Sequence, residues 1–226
     1  MPFLQIVPSI PARLSLFYPI YHNYFSSTRY TISKSLGRPN LPSGRREGRG
    51  SNAWGIMGLY IFDKDGTLVA NKKTWFRLSQ PVLRPEDQVL KPGVFEKLAQ
   101  LRGAGHTLAI ASNQHAVARG WITLDEAGEM VANCIQKVGG VSAWRICAYE
   151  KNAPLRIDGR PNPYRKETTC EKPAPGMLLD LMEALGFPPG ETVAVGNSWK
   201  DRKAARAAGV RFVPAHDFFK PSKPDR

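Results

Sequence analysis

A chain of 226 residues can hold one hydrophobic core of ordinary size, or one domain with an appendage. Its 42 % hydrophobic and 23 % charged content is that of a soluble globular protein, and no window of about 18 uninterrupted apolar residues predicts a transmembrane helix. The formal charge of +13 favours anionic partners, whereas three cysteines (Cys134, Cys147 and Cys170) do not read as a disulfide framework and fit a reducing, cytoplasmic compartment.

Residues 1–56 differ in kind from the rest. They hold seven Lys/Arg against one acid, a net +6, while residues 57–226 hold 25 against 18, a net +7. Six prolines and the run Ser43–Ser51 break any period of 2 or 3.6, as in a flexible basic linker. The poverty in acids weakly resembles a transit peptide. Met57 precedes the first strand by one residue and is read as an alternative start, so the domain is expected to span 57–226.

From Met57 onward strands and helices alternate. Gly58–Asp63 predicts a buried strand, Val94–Ala104 a helix facing the core through Val94, Leu98 and Leu101, and His106–Ser112 a second strand. Thr123–Val138 is an amphipathic helix opened by a capping box of Thr123 and Glu126. Arg145–Tyr149 follows as a strand, Pro175–Leu185 as a helix closed by Gly186, Thr192–Gly196 as a strand, Trp199–Ala208 as a helix and Val210–Pro214 as a last strand. Apolar runs separated by helices imply an α/β fold, a parallel sheet of about five strands covered on both faces. In such sheets ligands gather beyond the carboxyl ends of the strands.

That rule selects the chemistry. The first strand delivers Asp63 and Asp65, the second Ser112 and Asn113, and the fourth Gly196, Asn197 and Ser198, with Asp201 one helical turn on; Lys172 precedes the helix leading into the fourth strand. Two carboxylates this close need a cation or a proton between them, and Mg2+, which takes hard oxygen ligands, suits them. A metal ion, a carboxylate nucleophile, a lysine and a hydroxyl together describe phosphoryl transfer.

The motifs also carry a resemblance. "FDKDGTL" (62–68) resembles the first motif of the haloacid dehalogenase (HAD) superfamily, and its Asp-x-Asp-Gly-Thr spacing is highly specific. "IASNQ" (110–114), "EKPAPGM" (171–177) and "VAVGNSWKD" (193–201) resemble the second, third and fourth, in order. "SNQHAVARGWIT" and "KPAPGM" are similar to the cap-less branch, subfamily IIIA, with heptose bisphosphate, histidinol-phosphate and polynucleotide 3′-phosphatases. The resemblance implies a HAD-like Rossmannoid fold with little or no cap domain and a Mg2+-dependent phosphatase. It implies Asp63 as nucleophile and metal ligand, and Asp65 as general acid/base with its carbonyl on the metal. It further implies Ser112 and the amide of Asn113 on the phosphoryl group, Lys172 neutralising the aspartyl phosphate, and Asn197 and Asp201 at the metal end.

Two departures matter. Asn197 stands where the family usually has Asp; its amide oxygen can ligate Mg2+ but brings no charge, so weaker metal binding is expected, with Asp201 compensating through a water. Relatives of the heptose type often hold zinc with three Cys and one His before the third motif. Here Cys147 and Cys170 remain, but Tyr149 and Thr168 replace the other ligands, and two ligands do not close a tetrahedral site.

The expected substrate is a small phosphorylated metabolite, a sugar phosphate. The alternatives are a 3′-phosphate on a nucleic-acid end and a catalytically weak phosphate-binding protein. Substrate choice is expected in the loops Asn71–Leu90 and Ala148–Thr169. Trp121, Trp144 and Trp199 are read as packing residues, Arg119 as either an anion contact or a surface ion pair, and His115 as solvated.

Overall fold

The computed structural model describes residues 57–73 and 79–220, so the expectations for residues 1–56 lie outside the described residues. The described residues open with strand β1 (Leu59–Phe62), then a small antiparallel hairpin, β2 (Lys72–Lys73) and β3 (Ser79–Gln80). Helix α1 (Val94–Gly103) leads to β4 (Thr107–Asn113), the one-turn helix α2 (His115–Ala118), α3 (Leu124–Lys137) and β5 (Ala143–Cys147). A second hairpin, β6 (Arg156–Ile157) and β7 (Arg160–Pro161), precedes α4 (Gly176–Leu185), β8 (Thr192–Gly196), α5 (Trp199–Ala207), β9 (Arg211–Pro214) and α6 (Ala215–Phe218).

Five strands form one parallel sheet in the order β5-β4-β1-β8-β9. Alternation along β1 explains why helices cover both faces. Leu59 and Ile61 point to one side, onto Met177, Leu178 and Leu181 of α4 and Ala204 and Ala205 of α5. Phe62 points to the other, with Val94, Leu98 and Leu101 of α1 and Cys134 of α3. All three β1 residues are at most 2 % exposed, which is why the strand reads as a continuous apolar run. Among the described residues no separate cap domain is inserted, and both hairpins lie in the loops expected to carry specificity. No helix of the described residues is long and apolar enough to cross a membrane.

Helix ends follow their sequence signals. Thr123 accepts from the amide of Glu126 while the Glu126 carboxylate receives the Thr123 amide, closing the capping box. Gly186 ends α4 in the left-handed conformation, φ 74°. Val210, read from sequence as strand, donates its amide to the carbonyl of Ala205 and closes α5; β9 therefore starts one residue later, at Arg211.

The cysteine count did not announce a single bridge. Cys147 and Cys170 form a disulfide across a sequence separation of 23, with their Cα atoms 5.6 Å apart. The chain leaves β5 at Cys147 and returns at Cys170, which puts the pair within disulfide range. One bridge is not a framework, but it removes the cysteines as an argument for a reducing compartment. Cys134 remains free and buried, and burial pushes its thiol up to about 12.

Candidate active site

The sheet changes direction of growth at β1. The chain first extends it through β4 and β5, then returns to the opposite edge of β1 with β8 and β9. A crevice opens at such a switch point, beyond the carboxyl ends of β4, β1 and β8. Register fixes what faces it: Phe62 pairs with Ile110 and with Val195, so Asp63, Ala111 and Gly196 are the next residues along three adjacent strands. The amide of Asp63 still donates to the carbonyl of Val195, at 2.9 Å.

After Asp63 the backbone turns sharply. The carbonyl of Lys64 accepts from the amides of Thr67, Leu68 and Val69, at 3.3, 3.0 and 3.0 Å. Gly66 makes this possible: its φ is 81°, and a Cβ there would lie 2.3 Å from Nδ2 of Asn197. The turn brings Thr67 back over the strand end. Its hydroxyl lies 3.0 Å from Oδ2 of Asp63 and 3.2 Å from Oδ1 of Asn197. One hydroxyl proton serves one acceptor at a time, so two hard oxygen donors converge there with a spare lone pair between them.

Lys172 reaches the other side of Asp63. Its side chain is 5 % exposed, and its ammonium donates to Oδ1 of Asp63 (2.7 Å), Oδ1 of Asp201 (2.6 Å) and the carbonyl of Ala111 (2.9 Å). Asn113 holds the backbone behind it, donating from Nδ2 to the carbonyl of Lys172 and accepting its amide at Oδ1, both at 3.0 Å. Asp201 is tied on its far oxygen by the amide and hydroxyl of Ser198, at 3.0 and 2.6 Å, in a second capping box that opens α5. Both Asp201 oxygens are thus engaged within the protein.

These contacts set the charge states. Burial raises Asp63 to about 6, with Asp201 and Asp65 adding to it against the pull of Lys172. Burial also acts to raise Asp201, but Lys172 and Ser198 outweigh it and hold the carboxyl low. Burial acts to lower Lys172; the two aspartates outweigh it and keep the ammonium charged.

Asp65 points elsewhere. Its carboxylate takes the ammonium of Lys64 at 2.5 Å on one oxygen and Nε2 of Gln114 at 3.0 Å on the other. Gln114 also donates to Oγ of Ser112, at 2.8 Å, and Ser112 is fully buried at the end of β4. The two acids therefore do not share one cation within the chain: each has its own lysine.

All seven residues singled out from the sequence meet at this crevice: Asp63, Asp65, Ser112, Asn113, Lys172, Asn197 and Asp201. The sequence reading missed Lys64, Thr67 and Gln114 as parts of it, and brought Ser198 to the crevice without its bonds to Asp201. Thr67 and Gln114 lay inside quoted motifs, and Ser198-x-x-Asp201 repeats the capping pattern recognised at Thr123. Arg119 resolves to the ion-pair reading, with two bonds to Glu150 at 3.0 and 2.8 Å. His115 lies beside Glu171, 3.1 Å away, but its buried Nε2 makes no hydrogen bond, and burial lowers its pKa. Trp144 packs against the core as expected. Trp121 and Trp199 do not; they are 52 % and 62 % exposed, with Arg119 and Lys203 over their rings. Trp121 lies in the turn after α2, and Trp199 is the first residue of α5.

The chain is similar to known hydrolases. Residues 72–209 match the model of a hydrolase family described as haloacid dehalogenase-like hydrolase. The D-glycero-beta-D-manno-heptose-1,7-bisphosphate 7-phosphatase of Rhodopseudomonas palustris is 30 % identical over 123 residues, covering 53 % of this chain and 65 % of that protein. The enzyme of the same name from Bordetella bronchiseptica is 29 % identical over 157 residues, covering 68 % and 77 %. A crystal structure of the B. bronchiseptica D,D-heptose 1,7-bisphosphate phosphatase, complexed with magnesium and phosphate, aligns with a TM-score of 0.55 at 28 % identity, covering 69 % of this chain and 79 % of that one.

Proposed function

This chain belongs to the haloacid dehalogenase-like hydrolase family, and we propose that it is a magnesium-dependent phosphatase. Its substrate is the phosphate monoester of a small metabolite, a sugar phosphate, and the reaction passes through an aspartyl phosphate on Asp63. The observation that carries this reading is the two-sided environment of Asp63. Lys172 occupies Oδ1, while Oδ2 faces the Thr67 hydroxyl that also meets Oδ1 of Asn197. One oxygen is neutralised and the other is directed at the crevice. The named activity of the heptose bisphosphate relatives supports the sugar-phosphate class.

The donor set fits a hard divalent cation. Asp63 and Asn197 converge on one point, and the Asp65 carbonyl belongs to the turn between them. Asp201, tied to Lys172 and Ser198, would reach a metal through water. When bound, Mg2+ supplies positive charge to offset that on the transferring phosphoryl group.

The chain's own residues do the rest. Ser112 and the Asn113 amide hold the phosphoryl oxygens. Asp63 attacks phosphorus as the bond to the leaving oxygen breaks, and Asp65 gives that oxygen a proton. Lys172 offsets charge on the acyl phosphate. Asp65 then takes a proton from the water that hydrolyses it, which restores Asp63.

The test is Asp63→Asn. It should abolish hydrolysis of phosphorylated metabolites and trapping with beryllium fluoride while circular dichroism stays that of the parent. Turnover in that variant would refute the nucleophile assignment.

A further inference from the structure

Lys64 is unexplained by the reaction as written. It is 0 % exposed, although it lies between two acids at the mouth of a crevice. In a continuing strand it would face away from Asp65. β1 stops at Phe62, however, and the turn that gathers three amides on the Lys64 carbonyl bends the chain. The ammonium then comes back to Oδ1 of Asp65, at 2.5 Å. Among the described residues this is its only ion pair. Burying an ammonium is costly unless it is paired, and an aliphatic side chain would fill the same interior position without that cost.

The second oxygen of Asp65 is held from a different strand. Gln114, itself 5 % exposed, donates to it at 3.0 Å and to Ser112 at 2.8 Å. Asp65 keeps 24 % of its side-chain surface open. The carboxylate is thus gripped on one oxygen by a buried cation and on the other by a buried amide, with part of its surface left open.

We propose that Lys64 is a positioning residue for Asp65. It fixes the carboxyl that hands a proton to the leaving oxygen and later takes one from water. This rests on the assignment of Asp65 in the proposed reaction.

The experiment is a mutant cycle in the full chain with Mg2+ and p-nitrophenyl phosphate, a substrate reactive enough to leave measurable residual rates. Lys64→Met should lower kcat about tenfold or more, within the roughly 10²–10⁴-fold range of placed acid–base groups. KM should stay within about twofold, since Ser112 and Lys172 still hold the phosphoryl group. Lys64→Arg, which keeps a charged donor, should recover most of the loss. In an Asp65→Asn background, Lys64→Met should cost nothing further, because the two residues act as one unit. That double variant removes both charges of the pair together, so the comparison survives even where Lys64→Met alone fails to fold. Additive losses in the cycle, or a parental kcat in Lys64→Met, would overturn the proposal. Failure of the underlying reading shows separately, as turnover in Asp63→Asn.

Discussion

Replacing Lys172 by Met tests the electrostatic core of the site. The ammonium is 5 % exposed and bridges two carboxylates at 2.7 and 2.6 Å. Removing one partner of a buried ion pair costs about 3–5 kcal/mol, because the remaining charge is left uncompensated. For a chain of this size that is a fall in Tm of roughly 6–20 °C. The loss should depend on pH, with a definite sign. Asp63 has its pKa raised from 3.8 to about 6, so between those values the folded state binds more protons than the unfolded state. Its contribution to stability therefore falls as pH rises through that window. Without Lys172 its pKa rises further, since the largest influence opposing burial is gone. Protonating Asp63 removes one of the two charges of the orphaned pair, and does so more fully at pH 5 than at pH 8. Urea denaturation in EDTA should show the full destabilisation at pH 8 and a smaller one at pH 5. A variant as stable as the parent at pH 8, or a loss that does not shrink toward pH 5, would refute this account of the Asp63–Lys172–Asp201 cluster.

Other predictions concern the metal end. Protons and Mg2+ compete for Asp63, so apparent Mg2+ affinity should be flat above about pH 6 and fall roughly tenfold per unit below it; isothermal titration between pH 5 and 8 checks this. Asn197→Asp adds a charge where Asn197 and Asp63 both approach Thr67, and should tighten Mg2+ binding in the same assay. Gly66→Ala forces a side chain onto a φ of 81° and into Asn197, 2.3 Å away. It should cost more than about 1 kcal/mol in denaturant melts and also weaken Mg2+ binding.

The sequence was most legible where one local rule decides. The buried runs at Leu59–Phe62 and Thr192–Gly196, the Thr123–Glu126 capping box and Gly186 each state their structure within a few residues. The β6–β7 hairpin was legible too and went unread. Asp158 and Gly159, with φ of 49° and 75°, form an Asp-Gly turn. The strands beside it are two residues each and carry Arg and Pro, so no alternation announces them. The ion pairs were legible only in part. Four motifs in the right order place Lys172 near Asp63, but no spacing shows that Asp201 takes the same ammonium from 29 residues further on. Trp121 and Trp199 show the converse limit, because composition cannot tell a packed tryptophan from one lying open beside a cation.

The structure also changes what the two close acids mean. Read from sequence, Asp63 and Asp65 need a shared cation to offset their repulsion. In the folded chain the repulsion is divided instead: Lys172 takes Asp63 from beneath the sheet edge, and Lys64 takes Asp65 from inside the turn. Two adjacent carboxylates in one shared environment would titrate as a pair, and neither could be assigned a separate task. Two carboxylates with separate cations can differ in their surroundings, and here they do. Asp63 is raised to about 6 by burial and has one oxygen free of lysine. Asp65 has both oxygens held and more of its surface open. An attacking group needs a bare oxygen in a dry site, whereas a proton carrier needs access to a leaving group and then to water. The division of the acids between two lysines is therefore the physical basis for the different roles proposed for them, with the proposed metal on the Asn197 side of Asp63 and Lys172 on the other.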